Sequence, residues 1–207
     1  MHKEIFTQVQ SELLDIVKIF KKDYYMVGGT AIALQIGHRY SLDFDLFTYK
    51  PIRRKSIKKI LDKFSHFEQH LIWEDSTQMH LNIKGVKFTF FQYPYKITAS
   101  EKLDDVISMP SLLDLAGMKA LALGGRAKWK DYVDLYFILK KYYSFKQISD
   151  KAFELFGSGN FNPKLFKEQL SFFNDVNYSE EVSFLKGFQV SDATVKKYLI
   201  KVATEPF

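Results

Sequence analysis

The chain of 207 residues contains no cysteine. That excludes disulfides, thiolate metal sites and cysteine nucleophiles together. No run approaches the roughly 18 apolar residues of a membrane span. The N-terminal stretch "MHKEIFTQVQSELLDIVKIFKK" alternates charge with apolar positions and lacks a signal-peptide core, so a cytoplasmic protein without membrane contact is expected. No serine-nucleophile elbow and no Walker-type lysine loop occurs. Internal repeats and low-complexity segments are absent too. Histidine is sparse, at five residues. His66 and His70 have i, i+4 spacing but fall near a predicted helix–strand junction, which makes a poor zinc site. Between residues 76 and 100 there is not one Asp or Glu.

What is present is globular. Apolar residues make up 46% of the chain, with 20 Phe and 12 Tyr, enough to build a substantial core. The formal charge of +6 suits a polyanionic partner. The densest basic cluster is "KPIRRKSIKK" at 50–59. Such a run is commonly a solvated helix face; RNA contact is the alternative.

Periodicity predicts an amphipathic N-terminal helix carrying Phe6, Val9, Leu13, Ile16, Val17 and Phe20. A short strand follows at 24–27, then a helix from Gly28 to Ile36 with Gly37 as its C-terminal cap. "LDFDLFT" (42–48) reads as a strand and Pro51 as the opening of a helix to Phe64. Strands are expected at 67–73, 78–83 and 86–93, the last two joined by a tight turn at Lys84–Gly85. Beyond residue 100 the pattern turns helical, with helices near 111–124, 131–143, 147–156, 163–174 and 191–202. The fold class is therefore α+β, with a sheet-bearing core over 1–100 and a helical domain over 101–207.

The most informative stretch is "GGTAIALQIGHRYSLDFDLF", residues 28–47. Residues two apart on a strand share a face, so Asp43 and Asp45 project side by side. Two adjacent carboxylates repel unless a cation lies between them. Their hard oxygens suit Mg²⁺ or Mn²⁺ bridging to substrate phosphates. Gly28 and Gly29 follow a strand and open a helix, where backbone N–H groups can approach an anion. Thr30 adds a hydroxyl. Each half is a common string; the ordered combination is a nucleotide-binding arrangement. The bland alternative is a tight turn beside solvated edge charges. Haloacid-dehalogenase-type phosphatases use D-x-D-x-T, but here Thr48 stands one place too far and "GHRYSL" replaces the apolar strand before it.

This stretch resembles the signature of the AbiEii/AbiGii toxin family of nucleotidyltransferases, which have the DNA polymerase β-like nucleotidyltransferase fold. The residues carrying the resemblance are Gly28, Gly29, Thr30, Gly37, His38, Arg39, Ser41, Asp43 and Asp45. It continues in "MPSLLDLAGMKALALGGRAKWKDYVDLYFIL", residues 109–139. The resemblance implies a mixed sheet with flanking helices and a helical region closing the cleft. It further implies an NTP held through Mg²⁺ or Mn²⁺ at Asp43 and Asp45, with Gly28, Gly29, Thr30, Arg39 and Ser41 toward its phosphates. The implied reaction moves a nucleotidyl group to an acceptor such as tRNA, in a toxin paired with an antitoxin.

The second block also reads without the family. Leu112, Ala116, Lys119 and Leu123 share one helix face. Lys119 either forms a structural ion pair, with Asp134 the natural partner, or meets the nucleotide's phosphates. Asp131 suits a helix N-terminus or, in the family reading, activates the acceptor. Arg126, Lys128 and Lys130 lie in the loop between and are expected to meet phosphates. The family commonly shows a third acid four places after the glycine of "GVKFTFFQYP", and here that position is Thr89. Either Glu74 or Asp131 substitutes, or one metal suffices, or the protein is a catalytically deficient relative that binds nucleotide or RNA.

Overall fold

The computed structural model describes residues 1–206. The chain divides into two compact units, one formed by Met1–Gly37 and Ser41–Ser111, the other by His38–Tyr40 and the chain from Leu112 onward.

The first unit is built on a five-stranded sheet in the order β1-β2-β5-β4-β3. Its strands are β1 (Tyr25–Val27), β2 (Phe44–Thr48), β3 (Gln69–Glu74), β4 (Gln78–Ile83) and β5 (Val86–Gln92). The β2–β5 pair is parallel and the other pairs are antiparallel. Burial alternates along β2 and β4, so one sheet face is apolar and the other mixed. Phe44, Leu46, Phe88, Phe90, Met79, Leu81 and Ile83 make the apolar face. Helix α1 (Gln8–Ile19) lies over it and is opened by a capping box between Thr7 and Gln10. Phe6 and Phe20, which flank α1, pack on Phe44 and Phe90 at centroid distances of 5.9 and 4.8 Å.

Helix α2 (Gly28–Ile36) ends on Gly37 in the left-handed conformation, as expected. The β4–β5 turn also forms as expected, with φ of 51° at Lys84 and 84° at Gly85. Three expectations need correction. Strand β2 begins at Phe44, two residues later than the expected start at Leu42, which is 58% exposed. Pro51 does not open a helix: Ile52 enters the core first, and α3 (Arg54–Leu61) starts three residues later. A hairpin of β6 (Glu101–Leu103) and β7 (Ile107–Met109) was not foreseen. Strands of three residues are too short to show a period of two.

The second unit holds α4 (Leu112–Gly125), α5 (Trp129–Lys141), α6 (Phe145–Phe156), α7 (Pro163–Ser171) and α8 (Asp192–Thr204). Side chains of Ser144, Asn162 and Ser191 cap the last three. Helix α5 is buried along most of its length, including Tyr132 and Tyr136. Among the described residues no helix is long and apolar enough to cross a membrane.

Phe88 is fully buried, with the Phe44 ring 5.1 Å away. Phe88→Ala is expected to lower stability by about 3–5 kcal/mol, read as a shifted urea midpoint with an unchanged slope.

Candidate functional site

In the first unit, the decisive contact joins α2 to β2. Gly28 has φ +75°, and a Cβ placed there would lie 2.3 Å from Asp45 Oδ2. Only glycine permits that approach. The N-cap residue Val27 supplies no side-chain hydrogen bond, so the first-turn N–H groups of α2 keep their capacity for an anion. The carboxylate of Asp45 has no hydrogen-bond partner among the described residues. Asp43 precedes the strand and, like Asp45, is half-buried, while Phe44 between them is fully buried. That alternation sets both aspartates away from the apolar face.

The expected hydroxyl donors have another task. Thr30 and Ser41 are buried. Thr30 Oγ1 donates to the Asp43 carbonyl and contacts Ser41 Oγ at 3.0 Å. Gln10 Nε2 donates to the Ser41 carbonyl at 2.7 Å. Thr30 and Ser41 thus fix the path into Asp43, and the chain is held from both sides.

The sheet register settles what adjoins Asp45. Its partner on β5 is Thr89, so Thr89 occupies the strand position next to the aspartate pair. Next to Thr89 on β4 stands His80, and next to His80 on β3 stands Trp73. Glu74 pairs with Met79 of β4, on the sheet face away from Asp45, and its Oε1 accepts from Lys58 Nζ at 2.8 Å. A phosphate arriving at α2 would meet two carboxylates, a repulsive encounter that a divalent cation relieves. The donor set fits such a cation: two hard-oxygen ligands from the protein, the rest from phosphates and water. No cluster of three or more His, Cys, Asp or Glu able to hold a metal exists among the described residues, so the protein alone does not form a cage.

A cavity of about 440 Å³ opens beside α3, lined by Phe20, Tyr24, Thr48, Lys50, Arg53 and Ile57 among others. Phe20 and Tyr24 belong to the packing around Phe90, so the cavity adjoins the sheet face opposite Asp45. Neither Asp43 nor Asp45 lines it. In the basic cluster, Lys50 pairs with Asp23 at 3.0 Å and Lys58 with Glu74; Ile57 and Leu61 are its buried side.

In the second unit, a charge cluster is wholly interior. Asp134 accepts from Arg39 Nε and Nη2 at 2.7 and 2.9 Å and from His38 Nε2 at 2.7 Å. Lys119 Nζ lies 3.1 Å from Asp134 and closer still to Asp131. Burial alone would raise the Asp134 pKa, but Arg39, Lys119 and His38 outweigh it and hold the carboxyl well below its ordinary value. Burial opposes the Lys119 ammonium as well, and Asp131 with Asp134 overcomes it, raising that pKa. His38 shifts the other way: burial dominates over Asp134 and lowers its pKa.

These positions correct several roles drawn from sequence. Arg39 is buried with its guanidinium committed to Asp134 and the Tyr40 carbonyl, so it does not present itself to phosphates. Asp131 does stand in the first turn of α5, as expected, but it is fully buried and paired with Lys119. Lys128 and Lys130 both pair with Glu180. Arg126, 53% exposed, reaches Asp131 Oδ2 at 3.4 Å. His80 and Gln78 were missed because their place depends on strand register, which no local pattern reveals.

Residues 13–104 match the family described as nucleotidyl transferase AbiEii toxin, type IV TA system. An uncharacterised protein of Aquifex aeolicus is 37% identical over 124 residues, a stretch covering 58% of this chain and 59% of that protein. In structure, the chain resembles MenT4, a nucleotidyltransferase toxin of Mycobacterium tuberculosis, with a TM-score of 0.57 at 13% identity over 93% of this chain and 82% of that one. It also resembles JHP933 of Helicobacter pylori, with a TM-score of 0.50 at 15% identity over 97% and 89% of the two chains.

Gly28→Ala forces both a strained φ and a clash with Asp45. It is expected to destabilise the fold by about 1–3 kcal/mol and to weaken NTP binding at least about tenfold, measured by thermal melts and nucleotide titration. A second expectation concerns pH. Because the folded pKa of His38 lies below its unfolded value near 6.5, the unfolded chain takes up the proton first as pH falls. Stability should decline below about pH 6.5, by at most about 1.4 kcal/mol per pH unit, until the folded pKa is passed. His38→Gln should remove that slope in urea unfolding at pH 5 to 8. The Asp134 contribution persists there, being lost only in stronger acid. The match over residues 13–104 thus spans the sheet that carries this site, and over that stretch the chain is similar to the nucleotidyl transferases of the AbiEii toxin family.

Proposed function

We propose that the protein binds an NTP on the sheet of its first unit and transfers the nucleotidyl group to an RNA acceptor, with tRNA the leading candidate. The reaction makes it the toxin of a toxin–antitoxin or abortive-infection pair, held in check by an antitoxin. The observation that carries this reading is the Gly28–Asp45 approach: a helix N-terminus without a side-chain cap directly against a carboxylate that has no hydrogen-bond partner among the described residues. Asp43 and Asp45 would hold Mg²⁺ or Mn²⁺, which neutralises triphosphate charge and polarises the reacting phosphoryl group. The N–H groups at the start of α2, around Gly28 and Gly29, orient the phosphates. The exposed Arg53, Arg54, Lys55 and Lys59 suit RNA phosphates, so added salt should weaken acceptor binding. Lys119 and Asp131 are read as interior structure of the helical unit, each charge neutralised by the other.

A second reading, a nucleotide- or RNA-binding relative without transfer, is favoured by one fact: Thr89, not an acid, is the strand partner of Asp45. Purified protein incubated with each labelled NTP, Mg²⁺ or Mn²⁺, and total tRNA distinguishes them. Transfer predicts label on RNA, reduced about a hundredfold or more in Asp45→Asn. NTP binding with no label in either metal would establish the second reading and refute the first.

A further inference from the structure

The polar face of the sheet carries a row of side chains set by register: Asp45 on β2, Thr89 on β5, His80 on β4 and Trp73 on β3. Paired residues on neighbouring strands point to the same face, with strands about 4.8 Å apart. Asp45 and His80 therefore flank Thr89, roughly 10 Å apart at the backbone. Nucleotidyl transfer needs something to take the proton of the attacking hydroxyl. On β4 and β5 this face offers Gln78, His80, Asn82, Lys87, Thr89 and Phe91. None is a carboxylate, and of these only an imidazole can accept a proton near neutral pH.

The His80 ring is held by its neighbours. Gln78 Oε1 lies 3.1 Å from His80 Nε2, which assigns the ring hydrogen to Nε2 and leaves the lone pair on Nδ1. Nδ1 is directed at Thr89 Oγ1 across 3.5 Å. That distance is too long for a strong bond, so an incoming hydroxyl can compete for the nitrogen. The Trp73 ring packs on the imidazole at 5.5 Å between centroids and is itself 48% exposed, so it fixes the ring and leaves an aromatic surface beside it. Burial and Lys87 of β5 push the His80 pKa below its ordinary value, while Asp45 of β2 and Asp75 at the head of β4 pull upward less strongly. Trp73 of β3 adds no charge.

We propose that His80 is the general base of this protein, taking the acceptor's proton on Nδ1 from the strand beyond Thr89. The inference rests on the transferase reading. The acceptor oxygen bonds to the α-phosphorus as the bond from phosphorus to the pyrophosphate oxygen breaks, and the electron pair leaves with pyrophosphate. The acceptor proton passes to Nδ1, and the half-exposed imidazolium returns it to water. Trp73 would offer the acceptor's base a stacking surface.

Single-turnover transfer is measured from pH 5 to 8.5 for wild type, His80→Gln, His80→Ala with and without imidazole, and Thr89→Val, with Mg²⁺-dependent NTP binding measured in parallel. Wild type should lose rate on the acid side of about pH 6.5. His80→Gln should fall by about 10²–10⁴-fold and lose that acid limb while binding NTP as wild type does. Imidazole should restore part of the His80→Ala rate. Thr89→Val should stay within severalfold of wild type. A wild-type profile without an acid limb, which needs no variant to fold, would overturn the assignment of His80. So would a His80→Gln enzyme of undiminished rate, or a Thr89→Val enzyme as impaired as His80→Gln. Absence of transfer by wild type at every pH would instead refute the transferase reading, and the assignment with it.

Discussion

There is no room for a single carbon atom between the start of α2 and the carboxylate of Asp45. Much of the first unit serves to keep them that close. The Thr30 hydroxyl ties α2 to the Asp43 carbonyl, and Gln10 of α1 fastens the Ser41 carbonyl on the same approach. Parallel pairing with β5 then fixes the height of Asp45 against Thr89. Aromatic packing of Phe44 and Phe88 on the opposite face anchors the strand. The position of one charged oxygen is therefore the product of a helix start, two hydrogen-bonded ties, a strand pairing and a core.

The helical unit solves a different electrostatic problem. Burying Asp134 alone would cost several kcal/mol, yet Arg39, Lys119 and His38 surround it with donors. Two of these are full positive charges, and Asp131 balances Lys119, so the interior is close to neutral. His38 contributes as a neutral donor, since burial outweighs the pull of Asp134 on its proton. Such a cluster adds less net stability than apolar packing of equal volume, but it tolerates few rearrangements: removing Asp134 leaves the buried Arg39 guanidinium without its carboxylate. That favours one arrangement of α4 and α5 over its near competitors.

Much of this was legible in the chain. The Gly28–Ile36 helix with its glycine cap, the Lys84–Gly85 turn and β4 stand where periodicity and turn chemistry put them, because each is decided by neighbours in sequence. That Asp43 and Asp45 flank a buried Phe44 could be read for the same reason. Arg39, Ser41, Thr30, Lys128 and Lys130 were read as reaching phosphate, since a basic or hydroxyl residue in a motif looks the same whether its partner is a ligand or a buried carboxylate. Asp134 and Glu180, which claim three of them, lie roughly 50–95 residues away in sequence. His80 shows the complementary failure. Its alternation along β4 was visible, but which strand would face it, and in what register, was a tertiary decision.

The three residues His38–Tyr40 belong to the helical unit although the chain on both sides of them belongs to the sheet. Arg39 bridges to Phe184, and the Tyr40 N–H donates to the Ser183 carbonyl. A fragment cut after Ser111 would carry these residues with nothing to bind, and the remainder would enclose Asp134 without its arginine. Dissection at that boundary, the natural one by compactness, yields two incomplete pieces. During synthesis the early segment must likewise wait for 95 further residues before its arginine finds its counter-charge.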